Sequence, residues 1–218
     1  MTRIGNRGKR MTMTIRRGAC GAAALAWLIV PVEPALAHHV MDGNLPTVWW
    51  QGALSGLAHP IIGLDHLAFM LAAALLVIRQ RMAPLMLAAF VLASTVGVFL
   101  HLALFNLPAV EPAIAVSVLI FGLGVAMARS IGAAVMTALL VAGGIYHGYA
   151  FGESIVGAER SPLAGYLIGL AVIQYLVMLG TLLLARYIGM PLALPMAYRG
   201  AGAAIALVGL TMLGMMAA

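Results

Sequence analysis

The sequence predicts an all-α fold, a polytopic membrane bundle of about six transmembrane helices with the first one broken at His59-Pro60. Two observations carry this expectation. Hydrophobic residues make up 64% of the 218 and charged residues only 8%, where soluble domains run at about 45–50% and about 25%. The apolar residues also fall into long runs separated by short polar punctuation. A soluble globular enzyme is excluded on composition, and disorder goes with it. The 25 glycines keep no three-residue period, and the charges are too few for heptad pairing, so collagen and coiled coil are excluded as well. The single cysteine, Cys20, rules out a disulfide within the chain and a multi-Cys metal site.

Residues 1–37 read as a cleavable signal peptide. Six of the twelve basic residues (Arg3, Arg7, Lys9, Arg10, Arg16 and Arg17) precede position 18. An apolar run from Gly18 to Val30 follows, then Pro31 to Pro34, then Ala35-Leu36-Ala37. That is a basic region, a hydrophobic region and an A-x-A cleavage site in order. Thirteen apolar residues are short for a bilayer crossing, which takes about 20. The formal charge of +6 therefore belongs to the leader. The remainder is balanced, and a nucleic-acid partner is rejected.

The transmembrane domain, 38–218, divides into six apolar runs: Thr47–Ile78, Met82–Phe105, Val110–Ala128, Ser130–Phe151, Leu163–Ala185 and Leu192–Met216. The first would be about 48 Å long as one straight helix, more than a bilayer core. It contains His59-Pro60 and then Gly63. Proline removes a backbone donor and restricts the residue before it, so a break is expected there. Thr47–Ala58 would then be a half-helix or re-entrant arm, and Asp65–Ile78 the span proper. Arg79, Arg81, Arg129, Arg186 and Arg199 flank one set of connections, and only Arg160 lies in the other. The positive-inside rule places the five in the cytoplasm and both mature termini in the periplasm, as expected for a bacterial inner-membrane protein. Two halves of three spans would have inverted topology, although the sequence shows no convincing self-similarity.

On this topology every histidine and acid after the leader lies in the external half. His38, His39 and Asp42 are at the N-terminus, and His59, Asp65 and His66 at the broken start of span one. His101 ends span two, Glu111 opens span three, and His147, Glu153 and Glu159 lie at the end of span four and beyond. Ionisable groups in a bilayer are costly and face a cavity or a partner. Imidazole with carboxylate and no thiolate suits Ni²⁺, Co²⁺, Zn²⁺ or Cu²⁺ rather than Ca²⁺ or Mg²⁺. Structural readings stand beside this one. His59 could cap a kink, Asp65 could cap the helix that follows, and Glu111-Pro112 has the form of a helix start. His101 could bond a neighbouring helix, and His38-His39 could be a polar tail. Gly144, Gly148 and Gly152 leave one face of span four bare, so a neighbouring helix can approach closely. Small-residue faces of this kind would also serve a homo-oligomer.

His59-Pro60-Ile61-Ile62-Gly63-Leu64-Asp65-His66 resembles the H-P-x-x-G-x-D-H motif of the HupE/UreJ family of bacterial membrane proteins. Glu111 to Val118 and His147 to Glu153 supply further matches, and the resemblance covers essentially the whole chain after the leader. It implies a secondary permease for nickel, or else cobalt, with His59, Asp65, His66, His147 and Glu153 as ligand candidates. Two departures are Phe151 and Gln174, where some members carry histidine. The expected function is inward movement of a divalent transition-metal ion, with His101, Glu111, His38 and His39 as further candidates. Ni²⁺ or Co²⁺ is then cargo, and no permanent cofactor is expected. No G-x-x-x-x-G-K-[ST], H-E-x-x-H or G-x-S-x-G occurs, so an enzyme is not expected. A metal-binding accessory subunit of a larger complex is the alternative, and an intramembrane metalloenzyme a weaker one.

Overall fold

A computed structural model of the chain describes residues 45–190 and 192–217. The expected leader (1–37) with its expected cleavage site, and His38 and His39, lie outside the described residues. Among the described residues there are seven helices and no strands. They are α1 (Trp49–Ile62), α2 (Leu64–Leu76), α3 (Ala83–Leu102), α4 (Val110–Ala126), α5 (Ala133–Glu153), α6 (Arg160–Tyr187) and α7 (Pro195–Ala217). Four of these, α3, α5, α6 and α7, are long and apolar enough to cross a membrane, and α1 with α2 make a bent fifth. At 17 residues α4 is about 26 Å long, shorter than the bilayer core.

The first apolar run is broken, but not at His59-Pro60. Helix α1 continues through Pro60 to Ile62, and the chain turns by 75° at Gly63. Pro60 lies in the last turn, where the missing N–H removes one bond near an end that frays anyway. Gly63 leaves the helical region (φ −70°, ψ 103°) while its N–H still closes on the His59 carbonyl at 3.1 Å. Its φ is open to any residue, so space is what favours glycine. A Cβ there would come 2.8 Å from His66 Cδ2 and 3.1 Å from Asp65 Oδ1. At the start of α1, the Gln51 side chain reaches back to accept from the Thr47 N–H at 2.9 Å, in the manner of a capping box.

Three helix pairs make the broadest contacts: α1 with α6, α3 with α5, and α4 with α7. Each is a close approach of backbones over glycine. Gly52 and Gly56 face Pro162 and Tyr166, and Gly165 and Gly169 face Trp49 and Ala53, so α1 and α6 run parallel. Gly144, Gly148 and Gly152 face Phe90, Ser94 and the Val98–His101 turn, so α3 and α5 are parallel too. This is the neighbour expected for the bare face of the fourth run. Gly122 meets Ala206, and Gly202 meets Ala126, which makes α4 and α7 antiparallel. Counting the bent α1/α2 pair as one span, exchanging α1/α2, α3 and α4 for α5, α6 and α7 turns the first pair into the second and the third into itself. That is the pairing two inverted halves would give, although the sequence shows no repeat.

Helix α2 is threaded through the middle. From Ala68 to Leu76 only Leu71 escapes full burial. Carbonyls at its end and in the turn that follows are met by side chains of the two final helices. The Tyr198 hydroxyl donates to the Leu75 carbonyl (3.1 Å), and Arg186 donates to those of Ile78 (3.0 Å) and Gln80 (2.8 Å). Gln80 in turn donates to the Ile131 carbonyl at 2.8 Å. Arg79, Arg129 and Tyr198 line one small recess here. The basic connections therefore converge on one end of the bundle, in keeping with their common placement by the positive-inside rule.

The glycine contacts give a stability contrast. Ala at Gly202 would drive its Cβ into the backbone of Val125 and Ala126, with 2.7 Å to the Val125 carbonyl carbon, whereas nothing lies within 4 Å of a Cβ at Gly180. Gly202→Ala is expected to lower the unfolding free energy by about 1–3 kcal/mol, the usual cost of overpacking. Gly180→Ala should leave it unchanged or slightly raised, since both backbones are helical. Thermal unfolding of the detergent-solubilised variants measures the difference.

Candidate functional site

The break at Gly63 and the close α3–α5 approach bring two histidines together. His66 lies in the first turn of α2 and His147 on the buried side of α5 next to Gly148. Both are almost fully buried, at 3% and 1% exposure. Their Nδ1 atoms are 2.8 Å apart. The Oδ2 atom of Asp65 is 3.8 Å from His66 Nε2, and its side chain is 17% exposed. Asp65 thus stands at the partly open edge of the pair, in the first turn of α2, where the helix dipole favours a carboxylate.

Aromatic rings cover the pair on both sides. Phe151 lies over His66 with ring centroids 4.1 Å apart, and Phe69 over His147 at 4.3 Å. Phe69 is itself packed on Phe121 (4.5 Å) and Phe90 (5.3 Å). His59 is buried in the last turn of α1, 6.4 Å from His66 between ring centroids and edge-on to Phe151 at 5.3 Å. The Tyr166 ring also meets His59 edge-on, at 6.4 Å, while its hydroxyl donates to the Phe151 carbonyl at 2.9 Å. Few water molecules can compete for ligands in such surroundings, so the imidazoles are the dominant polar groups there.

The structure gathers His59, Asp65, His66 and His147 from the sequence candidates. Glu111 is exposed in the first turn of α4, and Glu153 is exposed as the last residue of α5. His101 is half-buried at the end of α3, where it packs on Tyr149 (4.5 Å) and against Gly152. Its Nδ1 is buried without a hydrogen-bond partner among the described residues. No three His, Cys, Asp or Glu side chains among the described residues converge as a ready metal-holding group. The His66–His147 pair has Asp65 and His59 around it.

Two polar features were not foreseen from the sequence. Ser117 of α4 places its Oγ 2.9 Å from His147 Nε2. Gln174 of α6 donates to Ser94 of α3 at 3.0 Å, both side chains fully buried. The available signal was a hydroxyl or amide inside an otherwise apolar run, where polar groups find partners across helices.

The family model described as HupE / UreJ protein matches residues 25–212. The chain belongs to the HupE/UreJ family. This is a transporter-type family, associated with nickel or cobalt transport or an accessory role in it. No curated protein and no solved structure matches the chain. With the apolar helices, membership makes this HupE/UreJ chain a membrane protein.

Proposed function

We propose that this HupE/UreJ chain is a secondary permease carrying a divalent transition-metal ion inward across a bacterial inner membrane, Ni²⁺ first and Co²⁺ second. The observation that carries this reading is the buried pair of Nδ1 atoms 2.8 Å apart, supplied by a broken helix and its neighbour. Two nitrogen ligands at about 2.0 Å from one ion lie about 2.8 Å apart when they subtend a right angle, as in square-planar or octahedral sites. Tetrahedral ligands at the same bond length lie about 3.3 Å apart. Little movement is then needed to seat an ion of square or octahedral preference. Asp65 offsets part of its charge, and backbone at the Gly63 break lies beside it. Two imidazoles with a carboxylate nearby hold an ion less tightly than a closed four-ligand cage. That suits cargo, which must bind well enough to enter and weakly enough to leave.

The ion would enter past Asp65 and leave toward the basic end. The Phe69–Phe90–Phe121 stack closes that side of the histidine pair, so passage requires these rings to part. Uptake of labelled Ni²⁺ and Co²⁺ by cells with and without the chain tests the function. Expression should raise uptake, without a requirement for an ATPase partner. Unchanged uptake together with tight binding by the purified chain would favour the accessory-subunit reading.

Topology gives a separate expectation. Six crossings with both mature termini outside require a reporter fused after Arg81 to be cytoplasmic and one fused at Ala218 to be periplasmic. The reverse pattern would put the histidines on the wrong face for import.

A further inference from the structure

Ser117 makes two hydrogen bonds, and together they decide a proton position. Its Oγ is 2.7 Å from the Ile114 carbonyl oxygen and 2.9 Å from His147 Nε2. A carbonyl has no proton to give, so the hydroxyl must donate in the first contact. A serine hydroxyl has one proton, and what remains at Oγ is acceptor capacity. The second contact can then form only if His147 Nε2 carries a hydrogen and donates it. In the neutral ring this leaves the lone pair on Nδ1, the atom 2.8 Å from His66 Nδ1.

We propose that Ser117 is a positioning residue that fixes His147 as the Nε2–H tautomer and so makes Nδ1 its metal-binding atom. The proposal rests on the reading of the histidine pair as the ion's site. Metal-bound histidines commonly donate their second N–H to an oxygen, which fixes tautomer and ring orientation. Here the oxygen comes from a different helix, so α4 sets the orientation of a ring carried by α5. The alternative tautomer would place Nδ1–H toward the ion and turn Nε2, an acceptor, toward a hydroxyl whose proton is already committed. Phe69 against the imidazole face limits ring rotation and leaves the tautomer as the remaining freedom.

The test reads the tautomer first and without metal. In the metal-free full-length protein, ¹⁵N NMR of the His147 ring should show Nε2 protonated and Nδ1 bare. Ser117→Ala should give the other tautomer or a mixture, and Ser117→Thr, which keeps the hydroxyl, should restore the wild-type signature. Ni²⁺ affinity of the solubilised chain should fall by about 10–100-fold in Ser117→Ala and recover in Ser117→Thr. A wild-type ring protonated on Nδ1 overturns the proposal, whatever the variants do. So does a Ser117→Ala protein that retains both the wild-type tautomer and the wild-type affinity. A serine-dependent tautomer in a wild-type chain that binds no Ni²⁺ would support Ser117's control of the ring and overturn the metal reading of the pair instead.

Discussion

His66→Ala and Asp65→Asn are each expected to abolish metal uptake while the protein remains in the membrane at normal levels. His147→Ala should do the same. The ligand set is small, and the rings of Phe69 and Phe151 leave little room for water to replace a lost nitrogen. Loss of a group that merely supports a ligand costs about 10–100-fold in affinity or activity, and a lost ligand should cost at least that. Asp65→Asn keeps the shape and removes the charge, so its effect reports on the electrostatic offset of the cation. As a control, Met127→Leu should change nothing, because Met127 is 55% exposed and caps the far end of α4. Initial uptake rates at matched expression measure all four. Uptake retained in both His66→Ala and Asp65→Asn would make these residues structural.

The largest stability effect is expected from Phe69→Ala. Phe69 is fully buried where α2, α3, α4 and α5 meet, and its ring fills the notch left by Gly143, where a Cβ would come within 2.6 Å of it. In a bilayer the transfer of apolar surface out of water contributes little to helix association, so the cost comes from lost packing. A void of about 100 Å³ at about 24 cal/mol per Å³ amounts to about 2–3 kcal/mol. Phe69→Leu, which refills most of the void, should recover much of it. Unfolding of the purified variants in mixed detergent checks this, and a Phe69→Ala protein as stable as the wild type would show that the stack does not hold the bundle. The same substitution removes the ring behind His147, so uptake should fall with stability.

The helical class and the break were legible because each rests on a local cause. Long apolar runs exclude other folds, and Pro60 with Gly63 in a run too long for one crossing demands a bend. The sequence placed the bend between His59 and Asp65, and within that stretch it falls at Gly63 rather than at Pro60, because a proline in a last turn is tolerated. The bare face of Gly144, Gly148 and Gly152 announced a close neighbour but not which one. In a bundle this apolar, residues facing lipid and residues facing protein have the same chemistry, so the pattern along a helix does not name its partner. Gly202, Gly122, Gly165 and Gly169 carry the same kind of contact and were recognisable only once their partners were seen.

At the candidate site, the nearness of His59, Asp65 and His66 was legible in the sequence because eight residues hold them together. His147 came with a second motif, and the pairing of the two motifs through space is what the fold adds. Glu153 follows His147 by six residues and Glu111 precedes Ser117 by six, about 240° round the helix and about 9 Å along it, so both lie exposed at helix ends away from the pair. Ser117 was hidden for the opposite reason. A lone serine in an apolar helix has an acceptor in its own preceding turn, and only the packing of α5 against α4 shows that it also receives His147.

X-ray absorption at the metal edge of the purified, Ni²⁺-loaded full chain tests the pair most directly. The expected spectrum contains scattering from at least two imidazole rings bound at about 2.0–2.1 Å, lost or reduced to solvent-like oxygen in the His66→Ala/His147→Ala double variant. An unchanged imidazole signal in that variant would place the ion elsewhere and contradict the assignment of His66 and His147 as its ligands.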